Sequence, residues 1–283
     1  MPNVLVKKKA VIVGGSRGIG RTIASAFLKE GAELLLVARS EKELEETQGE
    51  LLKFGRVEIR RADISKEKDV LGVSQKVKEL WGSLDILVNA AAITSPIGPL
   101  IEAPTDEWRK AIEINLVGTF LMIKNLVLLM KQSRGKIINF VGGGEGAYPN
   151  FTAYVASKGG IGRLTETVAA ELKDFNIDIN AIAPGAVNTK MLDDLIKAGP
   201  EKAGQENYDR AVKQKAEGGV SGEKAAALAL FLASAASDGL SGKIISAVWD
   251  NYAQIPKHFQ EIMSSDLYTY RRVKPKDRGY NWS

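Results

Sequence analysis

Tyr154 and Lys158 stand one helical turn apart near the end of the stretch IINFVGGGEGAYPNFTAYVASK, residues 137 to 158. Positions i and i+4 project from one helical face, so a phenol able to exchange a proton and an ammonium able to tune it are set side by side. Between the apolar run and the tyrosine lie four glycines and no serine. The stretch is either an active site with one member missing or one that only looks like an active site. Composition removes the competing chemistries. There is no cysteine, which excludes disulfides, thiolate metal sites and cysteine nucleophiles. The one histidine, His258, leaves no histidine cluster for a metal and little basis for a Ser-His-Asp triad. It reads as a surface residue, and no metal is expected.

The elements that must position Tyr154 and Lys158 are legible as short Val, Ile and Leu-rich runs: AVIVG from Ala10, ELLLVA from Glu33, VEIRRA from Val57, LDILVNA from Leu84, GKIINFV from Gly135, IDINAIAPG from Ile177 and KIISAVW from Lys243. Strands covered on both faces are continuously apolar rather than alternating, and the intervals between these runs are long enough for crossover helices. The expected fold is α/β, a doubly wound parallel sheet with helices on both faces in three layers.

After the first run comes GGSRGIGRTIASAFLKEGA, with Gly14, Gly18 and Gly20 leading into an apolar-periodic helix. Glycines here let the backbone approach a pyrophosphate, and the helix start presents N–H groups and partial positive charge to it. Placement between a strand and a helix makes this pattern a dinucleotide signal rather than a chance spacing. The second strand ends in VARS, with no carboxylate for a ribose 2′-hydroxyl. Arg39 follows that strand and Arg17 lies in the glycine loop, two guanidiniums suited to a 2′-phosphate. NADP (NADPH) is therefore expected over NAD.

With this loop, LVNAAA at the fourth strand, Asn115 in IEINLVGTF, YVASK and PGAVNT in that order, the sequence resembles the short-chain dehydrogenase/reductase family over roughly residues 8 to 250. The resemblance implies a Rossmann-type domain with a seven-stranded parallel sheet, a small carbonyl or alcohol substrate, and a homo-dimer or homo-tetramer. It carries the dinucleotide loop onto Gly14, Ser16, Arg17, Gly18, Ile19 and Gly20, and the adenine-side aspartate onto Asp63. Asn89, Ala90 and Ala91 match the stretch lining the cofactor, and Pro184, Gly185, Val187 and Thr189 the segment holding the nicotinamide carboxamide. Val13 and Ala92 depart from the family's usual threonine and glycine. The implied catalytic residues are Tyr154 as acid/base, Lys158 as pKa modulator and ribose clamp, and Asn115 as support for a proton-relaying water. A free tyrosine titrates at about 10, so its use as a base needs positive charge nearby.

Gly142 stands where the resemblance places the family's substrate-orienting serine, with Gly143 and Gly144 behind it. Losing one donor to a developing oxyanion costs roughly 2.7 to 4 kcal/mol, which slows an enzyme without abolishing it. Three readings follow. Thr152, Asn150 or glycine N–H groups supply the missing hydrogen bond; or the glycines make room for a bulky substrate against Glu145, Tyr148 and Trp249; or the chain binds cofactor without turning it over and acts through protein partners. Joint retention of Tyr154, Lys158 and Asn115 favours an active NADP-dependent oxidoreductase.

At 283 residues with 45% hydrophobic and 26% charged residues, the chain is ordinary globular material. One domain over 1–283 is expected, with 190–220 as a candidate substrate lid and 251–283 as a C-terminal extension. The net charge of +5 is largely terminal, from Lys7 to Lys9 and from Arg271 to Arg278, and reads as a solvated terminus rather than a nucleic-acid site. The segment 251–283 suits a tail that packs on the body or on a neighbouring subunit, and the aromatics Tyr268, Tyr270 and Trp282 among those basic residues suit docking across a subunit interface rather than nucleic-acid stacking. Trp249 and Asp250 read as core and cap. No apolar leader of about 7 to 15 residues opens the sequence and no apolar run of about 18 residues is seen, so a cytoplasmic protein without a membrane span is expected.

Overall fold

The computed structural model describes residues 3–143 and 146–282. Each of the seven apolar runs is a strand: β1 Lys9–Val13, β2 Glu33–Ala38, β3 Val57–Arg61, β4 Ile86–Asn89, β5 Lys136–Phe140, β6 Asp178–Ala183 and β7 Ile244–Ser246. They form one parallel sheet in the order β3-β2-β1-β4-β5-β6-β7. Register aligns Leu35, Val11, Leu87, Ile137 and Ile179 in one row across five strands. Leu34, Leu36, Ile12, Val88 and Ile138 enter a first core, while the side chains of that row enter a second on the opposite face. The two-residue period thus sorts the apolar runs onto two buried faces.

Helices α1 Gly18–Lys29 and α2 Glu41–Leu51 cover the first core, and α3 Glu67–Trp81 the second. In α1 the buried positions Ile23, Ala24, Phe27 and Leu28 recur at helical spacing, and each such large side chain contributes about 1.5–3 kcal/mol on burial. Next come α4 Thr105–Ile112, a π-helical turn Glu113–Val117, α5 Gly118–Leu126 and α6 Thr152–Leu172, with α5 and α6 on the second core. Finally α7 Lys190–Ala203, α8 Gln205–Glu217, α9 Gly222–Ala233 and α10 Phe259–Met263 complete the chain, with α9 and α10 on the first core. Strand order reverses between β1 and β4, which opens a crevice at their carboxyl ends, where Gly14 follows β1 and Ala90 follows β4.

Three segments bear on readings made from the sequence. The stretch Thr105–Leu129 is a single 25-residue helical run, long and apolar enough by composition to cross a membrane. The π-helical turn makes α4 and α5 continuous, and their packing against α3, α6 and β4 is that of a core helix. The tail docks on the body of its own chain. Ile244 N–H of the edge strand β7 donates to Tyr268 C=O at 2.8 Å, and the buried Lys243 ammonium donates to the Ser265 and Leu267 carbonyls. Tyr270 N–H donates to Glu166 on α6, and its ring lies over Gly162. An otherwise open sheet edge is thereby covered. Trp249 is not core, being 85% exposed, while Asp250 does cap its turn by accepting from Ser246 N–H at 2.6 Å.

Candidate active site

The glycine loop is built by close approach. A Cβ on Gly14, whose φ is +79°, would lie 2.8 Å from Ala91 N, and one on Gly20 would collide with Gly14 O. The loop consequently lies flat on β4, and α1 starts at Gly18 with Arg17 at its N-cap and no side chain capping it. That leaves a backbone cradle open to an anion. A cleft of about 850 Å³ runs from this loop past Arg39 and Asp63 to the start of α7. Gly14, Ser16, Arg17, Gly18, Ile19, Gly20, Arg39, Asp63, Ala90, Ala91 and Thr189 all border it. Burial opposes ionisation of Asp63, but hydrogen bonds from the Ser65 hydroxyl and N–H, then the charges of Arg39 and Lys66, hold its carboxyl below the ordinary range. This cradle fits a dinucleotide.

Asn89, Pro184, Gly185 and Val187 lie outside the cleft lining. Asn89 is enclosed in the sheet, its amide donating to Asn139 Oδ1 at 2.9 Å. Pro184, Gly185 and Val187 shape the loop after β6. Gly185 has φ +78° and a Cβ there would sit 2.5 Å from the Val248 side chain, while Val187 bridges to Val220.

Tyr154 and Lys158 leave α6 on the same face. The Lys158 ammonium is 3% exposed, donates to Phe140 C=O at 2.8 Å and lies 5.9 Å from the Tyr154 ring centre. Burial pushes the Tyr154 phenol up to about 12, with Tyr148 adding to the shift, and pushes Lys158 down to about 8. At neutral pH the pair is a neutral phenol beside an ammonium. Asn115 sits fully buried in the π-helical turn, a local distortion frequent at functional sites. Its Oδ1 accepts from Ile93 N–H, and its amide donates to Ile93 C=O and to Ser157 Oγ at 3.0 Å. Ser157 in turn donates to Tyr154 C=O at 2.7 Å. Asn115 thus ties the chain after β4 to the first turns of α6.

Apolar packing closes over Tyr154. Tyr148 stacks on Phe151, with centroids 4.4 Å apart. With Tyr154 and Val155 they join Leu192, Leu195 and Ile196 of α7 and Tyr208 of α8 in one cluster. Residues 190–220 therefore hold two helices lying over the tyrosine, and α7 breaks at Gly199 (φ +77°) just before Pro200. Gly142 gives its space to Tyr154, whose hydroxyl occupies the position a side chain at 142 would take. Thr152 faces elsewhere, its hydroxyl accepting from the Trp108 indole at 3.2 Å. Asn150 carries φ +72° and its carbonyl accepts from Gly98 N–H. Glu145 lies outside the described residues.

Among the cleft residues absent from the sequence reading is Glu43. Arg17 Nη1 is 2.9 Å from Glu43 Oε1, and Ser16 Oγ donates to Glu43 Oε2 at 3.1 Å. The available signal was Ser40-x-x-Glu43, a capping-box spacing at the start of α2.

Comparison with known proteins agrees with this geometry. A family model described as short chain dehydrogenase matches residues 8–199. An uncharacterized oxidoreductase, YxbG, of Bacillus subtilis (strain 168) is 34% identical over 247 residues, covering 86% of this chain and 90% of that protein. The L-fucose dehydrogenase of Oryctolagus cuniculus is 32% identical over 232 residues, covering 81% and 80%. The crystal structure of levodione reductase superposes with a TM-score of 0.78 at 28% identity, covering 86% of this chain and 96% of that one.

Proposed function

The chain belongs to the short-chain dehydrogenase family of NAD(P)-using oxidoreductases, and on that premise we propose that it interconverts a carbonyl and a secondary alcohol with NADP(H), Tyr154 serving as acid/base. The observation that carries this reading is the chain of contacts from Ile93, on the cleft wall, through Asn115 and Ser157 to the Tyr154 carbonyl, which fastens the first turns of α6 to the chain bordering the cleft. Preference for NADP is supported by Arg17 and Arg39 on the cleft wall and by a β2 end without a carboxylate.

A bound nicotinamide supplies or accepts hydride and, when oxidised, brings positive charge. Tyr154 supplies the proton. In reduction a neutral phenol must donate to the developing alkoxide, which is the state that burial favours. In oxidation the phenol must act as a base, and only added positive charge brings it down toward neutrality. Lys158, anchored on Phe140 C=O, keeps an ammonium on that side of the ring. Residues 190–220 act as the lid, since entry of substrate requires the Leu192, Leu195 and Tyr208 packing to part. Tyr148 and Phe151 offer an apolar ring surface to the substrate. Exposed Phe120 and Leu128 on and beside α5 support a homo-oligomer.

A second reading, a cofactor binder that performs no turnover, draws on one observation: the Tyr154 hydroxyl fills the place of the missing serine side chain. Fluorescence titration with NADPH and NADH, followed by an aldehyde, ketone, quinone and sugar panel, separates the two. The expected result is tighter NADPH binding, turnover by the wild type, and a loss of about 10² to 10⁴ in rate for Tyr154→Phe with cofactor affinity unchanged. Tight binding with no turnover on any panel member would install the second reading, and tighter NADH binding would remove the NADP preference.

A further inference from the structure

We propose that Glu43 is a cofactor-discriminating residue that weakens the grip of this cleft on a 2′-phosphate and so narrows its preference for NADPH over NADH. The proposal rests on the nucleotide-binding reading above and adds a residue to it. At the start of α2, Ser40 Oγ accepts from Glu43 N–H at 3.3 Å, which is one half of a capping box. The reciprocal half is not made. The Glu43 carboxylate turns toward the glycine loop, pairing Oε1 with Arg17 at 2.9 Å and accepting from Ser16 Oγ with Oε2 at 3.1 Å. Thr47, one turn further along α2, holds the Ser16 carbonyl at 2.8 Å. The start of α2 is thereby fastened to the loop, with a carboxylate among the groups that face the nucleotide.

The charge balance follows. Arg17, Arg39 and Glu43 all border the same cleft. Two guanidiniums alone would present two positive charges to a 2′-phosphate, but Glu43 neutralises one of them and meets the incoming dianion with like charge. For NADPH to use Arg17, the guanidinium must leave Glu43 or share it. A 2′-hydroxyl imposes no such exchange and can itself donate to the carboxylate. Arg17 and Glu43 side chains are half and about one-third exposed, so solvent and salt moderate the effect.

The test is a fluorescence titration of wild type, Glu43→Gln and Glu46→Gln with NADPH and with NADH, at low and at high salt, with no carbonyl substrate present. Glu46 is the control, a carboxylate of the same helix that pairs only weakly with Lys42 at 3.9 Å. Removing the Glu43 charge is expected to tighten NADPH by about five- to tenfold at low salt and to leave NADH unchanged or weaker, with the NADPH gain shrinking as salt screens it. Glu46→Gln should change neither. NADPH affinity that falls or stays constant in Glu43→Gln, or a gain matched by Glu46→Gln, would overturn the proposal. A wild type that prefers NADH while Glu43→Gln still shifts the ratio toward NADPH would remove the NADP preference of the proposed function and leave the role of Glu43 standing.

Discussion

Gly142 is explained by space rather than by backbone freedom. Its neighbour Gly143 carries φ +90° and needs to be glycine, whereas Gly142 has no such angle. A Cβ at 142 would overlap the Tyr154 hydroxyl, a group held under Phe151 and the α7 side chains. Overfilling a packed site costs about 1–3 kcal/mol, so Gly142→Ala should lower stability by that amount in urea unfolding. Unchanged stability would mean that Tyr154 swings aside without resistance. In that case the filled serine position would cease to favour a cofactor binder without turnover. The serine of the family was therefore legible in the sequence only as an absence, because the occupant of its space comes from a residue twelve positions away.

At the scale of elements, α6 serves two masters. One face carries Tyr154 under the α7 side chains and Lys158 to the Phe140 carbonyl, and Gly162 on the same helix receives the Tyr270 ring of the tail. Glu166 accepts the Tyr270 N–H, and Arg163 donates to its carbonyl at 2.8 Å. A side chain at 162 would strike the ring directly. Gly162→Val is accordingly expected to release the tail and to speed tryptic cleavage at Arg271 and Arg272 by about tenfold, read by mass spectrometry, because cleavage tracks local opening. Equal cleavage rates would show that Lys243 and the Tyr268 carbonyl suffice to hold the segment. A glycine in mid-helix signals close approach in the sequence, but not what approaches.

For the whole molecule, the buried lysine links the site to global stability. Lys158 falls from 10.5 to about 8 on folding, so the unfolded chain binds the extra proton more strongly. The resulting penalty, roughly 3 kcal/mol, is fully present below pH 8 and is relieved as pH rises toward 10.5. Lys158→Met removes the titrating group. The stability difference between the variant and wild type, from denaturation at a series of pH values, should favour the variant most at pH 7 and move toward wild type above pH 8. A difference independent of pH would show that the ammonium is solvated in the folded protein.

The sequence by itself determined the parallel sheet, the glycine loop and the placing of Tyr154 and Lys158 on one helical face. Continuous Val, Ile and Leu runs, a loop between strand and helix, and an i, i+4 pair are all local patterns, and local patterns set which face is buried and which groups lie side by side. Tertiary structure alone decided which partner each group took. Glu43 leaves half of its cap for Arg17, 26 residues away, Thr152 turns to Trp108 across 44, and Tyr270 reaches Glu166 across 104. Spacing carries no record of these contacts, because each polar group chooses among partners that only the closed, packed chain brings within reach.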